Sequence, residues 1–159
     1  MAKIYFICGF IGSGKTTYAK KLEQERKAFR FNADEWMLPL FGEHMAREVF
    51  DARLLTLKSL FQSSAIQMIN LNVSVIFDFG FWTKSERLAL TKWAKEHDLD
   101  FEFIYLDVSY EECQRRALQR NAVRGEHAYE MTPEMLALFW SKFERPDPDE
   151  EMTRIRNEI

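Results

Sequence analysis

The chain has 159 residues, 47% of them hydrophobic and 30% charged, with a formal net charge of −3 at pH 7. That is ordinary globular composition, long enough for one domain spanning residues 1–159 and burying about two thirds of its unfolded surface. The slight acidity supplies no overall field for polyanions, no apolar run approaches a membrane span, and Cys8 and Cys113 read as small core residues of a reducing, cytoplasmic setting.

In chain order, strand and helix patterns alternate, which predicts an α/β fold with a parallel sheet covered on both faces. The first strand covers about Lys3 to Cys8 and runs directly into a glycine-rich loop, so the apolar start does not read as a cleaved signal. A helix follows from about Gly14 to Arg26, then a short strand from Ala28 to Phe31 leading into Asn32-Ala33-Asp34. Helical sequence from Glu35 to about Leu40 is interrupted at Pro39 and Gly42, and a long amphipathic helix is expected from about Glu43 to Asn70. Val73 to Phe77 is a continuous β-rich run ending at Asp78, typical of a central parallel strand. A helix from about Lys84 to His97 precedes a fourth strand, Phe101 to Leu106. After Asp107, a helix from about Ser109 to Arg120 enters an irregular segment, Asn121 to Met131. Thr132-Pro133-Glu134 starts a helix that continues to about Phe143. Pro146 and Pro148 then break the chain; the acidic tail is either loose over 147–159 or adds a short strand from Met152 to Ile155.

The chemistry centres on Gly9-Phe10-Ile11-Gly12-Ser13-Gly14-Lys15-Thr16, a complete G-x-x-x-x-G-K-T phosphate-binding loop between a strand and a helix. Glycines let the backbone curl so that several N–H groups, through Thr17, point at one anion, and the helix adds the positive end of its dipole. Lys15 is expected to reach the outer phosphates of ATP and Thr16 to position Mg²⁺. ATP against GTP is left open.

Ligands in such sheets sit beyond the carboxyl ends of the strands, where Asp34, Asp78 and Asp107 fall. Asp34 is placed to orient an acceptor hydroxyl and take its proton, or else to cap the next helix with Asn32. Asp78 reads as a carboxylate linked to Mg²⁺ or touching the acceptor, or as a turn residue; Asp107 reads as a helix cap. The run from Arg115 to Gly125 carries four arginines and reads as a lid over about residues 115–131. Arg120 is its first candidate for the phosphates and Arg124 its second, while Arg115 faces solvent. Phe79-Gly80-Phe81-Trp82, just after Asp78, either floors an acceptor pocket through its aromatics or packs against the long helix, and Trp36 and Met37 beside Asp34 pose the same alternative. His44, His97 and His127 lack metal-ligand spacing.

This order of motifs resembles the P-loop kinases of the polynucleotide-kinase and zeta-toxin/chloramphenicol-phosphotransferase group, often labelled AAA-family ATPase or predicted kinase. The resemblance covers roughly residues 3–143 and is carried by the loop, Phe31 to Glu35, Val75 to Asp78 with Lys84 to Arg87, and Leu106 to Val108 with Arg116 to Arg120. It implies a three-layer fold with strand order 2-3-1-4-5, Asp34 as general base, Asp78 near the acceptor and Arg120 on the ATP phosphates. One departure bears on the acceptor. Polynucleotide kinases carry a basic residue soon after the base, and here the helix reads Glu35-Trp36-Met37-Leu38. The expectation is therefore an ATP- and Mg²⁺-dependent transfer to a small-molecule hydroxyl. The rivals are a nucleic-acid 5′-hydroxyl kinase and a nucleotide switch acting through a partner.

Overall fold

Alternation decides which residues meet which layer. In β1 (Ile4–Cys8), Ile4, Phe6 and Cys8 point to one face and Tyr5 and Ile7 to the other. The structure, a computed structural model, describes residues 1–121 and 131–156. β1 is followed by α1 (Lys15–Arg26), β2 (Phe29–Phe31), α2 (Ala33–Phe41), α3 (Arg47–Asn70), β3 (Val75–Gly80), α4 (Lys84–Glu96), β4 (Phe101–Leu106), α5 (Tyr110–Asn121), α6 (Pro133–Lys142) and β5 (Thr153–Ile155). The strands form one parallel five-stranded sheet in the order β2-β3-β1-β4-β5, the order the family resemblance implies.

The two faces are unequal. Tyr5, Ile7, Ile76, Ile104 and Leu106 pack on Ala19 and Leu22 of α1. The opposite face is aromatic: Phe6 lies 4.7 Å from Phe103 and 5.8 Å from Phe77, ring centre to ring centre, beneath Phe61 of α3 and Ala94 of α4. Rings of this size dominate the apolar area the sheet removes from water.

Several expected boundaries move. α2 starts at Ala33 and runs through Pro39, whose exposed ring sits in the helix without ending it; Gly42, at φ 80° and ψ −178°, a conformation open to glycine, is the stop. The long helix starts at Arg47, four residues later than its amphipathic pattern suggests. β3 begins at Val75 and extends beyond Asp78 to Gly80, because Asn72 turns the chain at φ 63° first. Asp78 is therefore a buried strand residue. The tail forms β5, whose Ile155 carbonyl accepts from the Asp107 N–H at 2.8 Å, so its last described part is not loose. Arg124, His127 and most of the irregular segment lie outside the described residues.

Candidate active site

The loop from Gly9 to Thr16 closes on itself. The Phe10 carbonyl accepts from the Ser13 N–H at 3.1 Å and from Lys15 Nζ at 3.2 Å, and the Gly14 carbonyl accepts from the Tyr18 N–H at 2.9 Å to start α1. Phe10 and Ile11 contribute backbone here; the Phe10 ring is buried, edge-on to Trp140 at 5.0 Å. α5 lies across the loop: a Cβ on Gly12, which has φ +82°, would stand 2.3 Å from the Cys113 carbonyl oxygen. Gly12→Ala therefore meets two costs, about 1–2 kcal/mol for a left-handed conformation and about 1–3 kcal/mol for the collision. A lower thermal midpoint together with weakened MgATP binding is the expected result.

Beneath the loop, Asp78 is 3% exposed. Its Oδ2 accepts from Thr16 Oγ1 and from Asn32 Nδ2, each at 2.9 Å. Its other oxygen, Oδ1, is buried without a hydrogen-bond partner among the described residues. A buried carboxylate oxygen left unsatisfied beside a threonine hydroxyl fits a Mg²⁺ ion or its water, since that metal takes few protein ligands and completes its shell with phosphates and water. No cluster of three or more acidic, histidine or cysteine side chains capable of holding a metal alone occurs among the described residues.

The cap of α2 falls to Asn32 and not to Asp34. Asn32 Oδ1 caps α2 by accepting from the Glu35 N–H at 3.1 Å, so Asp34, inside the first turn, is spared from capping. Asp34 reaches water from a recess: its surface is accessible, yet surrounding protein desolvates the carboxyl and pushes its pKa above the ordinary aspartate value, with Asp78 adding to the rise. Lys15, Arg120 and Lys58 oppose that shift, so three cations and two carboxylates share one region.

The remaining candidates separate. Thr17 is exposed on the first turn of α1. Arg120 is exposed near the end of α5, and Arg116 reaches the Ser13 carbonyl at 3.4 Å. Arg115 pairs with Glu112 at 2.9 Å on an exposed face, as anticipated. Phe81 is 1% exposed and set edge-on to Phe6 at 5.5 Å, so it offers no surface to an acceptor; its side chain was drawn into the core. Trp82 turns to the loop instead, donating from Nε1 to the Gly9 carbonyl at 3.2 Å with its ring 5.8 Å from Phe139. Asp107 does not cap α5. Ser109 Oγ accepts from the Glu112 N–H, while Asp107 pairs with Arg145 at 3.2 Å. The Cys8 thiol is pushed up to about 12 and that of Cys113 to about 11 by burial, consistent with inert core residues.

Lys58 had no signal in the sequence. It lies on α3, one turn from the buried Phe61, and stands 5.5 Å over the ring of Phe79 and 3.9 Å from Glu86. Phe79 in turn stacks on Phe77 at 4.7 Å. On this aromatic face Phe79 is half-buried and Trp36 exposed, so these rings, rather than the buried Phe81, keep accessible surface.

The AAA_33 family model, described as an AAA domain, matches residues 4–146. The chain belongs to this AAA domain family. No curated protein matches it in sequence. Among solved structures, this AAA-domain chain is similar to the Mycobacterium tuberculosis APS kinase CysC in complex with AMPPNP and APS. The TM-score there is 0.70 at 17% identity, over 99% of this chain and 90% of that one. A putative kinase from Chloroflexus aurantiacus gives a TM-score of 0.75 at 17% identity, over 98% and 88%. A chain of the Pnkp1/Rnl/Hen1 RNA repair complex gives 0.69 at 21% identity, over 89% of this chain and 43% of that one. The AAA-domain chain thus has the P-loop kinase fold.

Proposed function

We propose that this AAA-domain protein transfers the γ-phosphoryl group of ATP to a hydroxyl of a small-molecule acceptor. One observation carries the reading. Asp78 is committed to Thr16 and Asn32 beneath the loop, while Asp34 is left uncommitted among Lys15, Arg120 and Lys58. A nucleotide switch has no use for such a second carboxylate; an acceptor kinase needs one.

In this reading the loop amides and Lys15 hold the β- and γ-phosphates, which draws Lys15 Nζ from the Phe10 carbonyl it now meets. Thr16 and Asp78 hold Mg²⁺, which supplies charge neutralisation on the phosphates. The acceptor oxygen bonds to the γ-phosphorus as the bond from phosphorus to the bridging oxygen breaks. ADP leaves, and the hydroxyl proton passes to the Asp34 carboxylate. Arg120, near the end of α5, stabilises charge on the transferring group. Positioning and electrostatics supply most of the acceleration, because a loose transition state leaves little covalent work to the protein.

The pH dependence follows from the direction of the Asp34 shift. A raised pKa means that the base is lost to protonation at a higher pH than for a free aspartate, so the acid limb of kcat/KM lies above the ordinary aspartate range. Lys58→Met removes a charge that favours the carboxylate and moves the limb further up; Asp78→Asn moves it down. The stability sign is the same: the folded state holds this proton more tightly than the unfolded one, so ionisation as pH rises costs stability. Rate profiles across acid pH for the three proteins check the order.

The similarity to the RNA repair chain and a Lys58 charge that favours the ionised Asp34 support one second reading, transfer to a nucleic-acid 5′-hydroxyl. Screening nucleosides, sugars, aminoglycosides and 5′-hydroxyl oligonucleotides for ATP-dependent gain of one phosphoryl mass separates the two. Phosphorylation of oligonucleotides alone, with strongly salt-dependent binding, overturns the small-molecule reading. ATP hydrolysis indifferent to every alcohol overturns both.

A further inference from the structure

The first residue of the phosphate loop is held from outside the loop. The Gly9 N–H donates to the Gly80 carbonyl at 3.0 Å, and the Gly9 carbonyl accepts from Trp82 Nε1 at 3.2 Å. The residue between those two partners, Phe81, has φ 50°, a left-handed conformation that a bulky residue adopts only when its surroundings impose it. Its carbonyl accepts from Arg87 Nη1 at 2.9 Å and from Cys8 Sγ at 3.5 Å.

Arg87 is 2% exposed, and its charge is met by one partner from the far end of the chain. Its Nε and Nη2 donate to the two carboxylate oxygens of Glu150 at 2.7 and 3.0 Å, a fork of the kind only a guanidinium makes. The tail between α6 and β5 is fastened to the same corner at further points. The Glu144 N–H donates to the Trp82 carbonyl at 2.7 Å, and beside the corner the Lys84 N–H donates to Glu144 at 3.2 Å and Lys84 Nζ to Asp147 at 2.8 Å; within the tail the Asp147 N–H donates to Glu150 at 2.7 Å.

We infer that Arg87 and Glu150 are positioning residues for the phosphate loop: the tail segment 144–150 is a strap that holds the Gly80-Phe81-Trp82 corner in its strained shape, and the corner fixes Gly9. Neither side chain touches the nucleotide in the proposed reading, on which this inference rests. The chain of contacts runs from Glu150 to Arg87, to the Phe81 carbonyl, to the two neighbours of Phe81, and to both backbone groups of Gly9. A slack corner lets the first glycine drift, and the amides that follow no longer converge on one anion.

The test compares Glu150→Asp, Glu150→Gln and Glu150→Ala with wild type by calorimetric titration with MgATP and by steady-state kinetics on an acceptor found in the screen. Leu99→Ala, a core change just before β4 at the end of the sheet opposite Gly9, serves as an equally destabilised control. The expected order of MgATP affinity is Glu, Asp, Gln, Ala, with turnover falling by about 10- to 100-fold at the end of the series, the scale of a misplaced reacting group. The KM for the acceptor stays at its wild-type value. If Glu150→Ala fails to fold, the Asp and Gln variants carry the comparison. Unchanged MgATP affinity in a folded Glu150→Gln overturns the inference, as does an equal loss in Leu99→Ala. A wild-type protein that binds no MgATP sinks the nucleotide reading and the strap with it; wild-type binding with unaffected variants sinks the strap alone.

Discussion

Asp34→Asn is expected to lower turnover about 10²- to 10⁴-fold while MgATP affinity stays close to that of the wild type. The substitution keeps the size and polarity of the side chain and removes only its capacity to take a proton. α2 is unaffected because Asn32 supplies its cap. Loss of a carboxylate that was costly to ionise should also leave stability at neutral pH unchanged or slightly raised, since desolvation dominates its pKa shift. Single-turnover transfer from labelled ATP, with affinity measured separately, distinguishes the base from a binding group. An equal loss in affinity and turnover places Asp34 on the nucleotide instead.

Lys15→Ala is expected to lower kcat/KM for ATP by about 10²- to 10³-fold or more, the scale seen when one preorganised donor to a developing charge is removed. Its ammonium meets the Phe10 carbonyl at 3.2 Å, so the unliganded loop also loses a tie. A modest fall in thermal midpoint is expected with the kinetic loss, and millimolar MgATP should restore less stability to the variant than to the wild type. Thermal melts with and without nucleotide measure that difference. Arg120→Ala should spare the unliganded melt entirely, because its exposed side chain joins no described ion pair.

The loop and the parallel sheet were legible because their signals are local: a fixed glycine spacing, then apolar strand runs alternating with helical periods. Asp34 and Asp78 were legible as strand-end carboxylates, although β3 runs two residues past Asp78 and buries it. The division of labour proposed for them was not. It depends on Asn32, which caps α2 with one side-chain atom and holds Asp78 with another.

What escaped the sequence involves pairs far apart in the chain. Lys58 bears on Asp34 because α3, which packs Leu57 and Phe61 into the aromatic face of the sheet, carries the lysine over Phe79, from where its charge favours the Asp34 carboxylate. Arg87 and Glu150 are separated by 63 positions, and nothing in either neighbourhood names the other. Phe81 shows the opposite failure. An aromatic residue after a strand end reads equally as pocket or core, and the left-handed turn that sends it inward is set by Arg87 and the Gly9 contacts rather than by its neighbours in sequence.

The most direct measurement is a crystal structure of the protein with Mg²⁺ and a non-hydrolysable ATP analogue. The account predicts the triphosphate along residues 9–16, the metal between Thr16 and the unpaired oxygen of Asp78, and the Asp34 carboxylate facing the terminal phosphorus across a gap wide enough for a hydroxyl. A nucleotide bound elsewhere, or an Asp34 turned from the γ-phosphate with the loop filled, contradicts it.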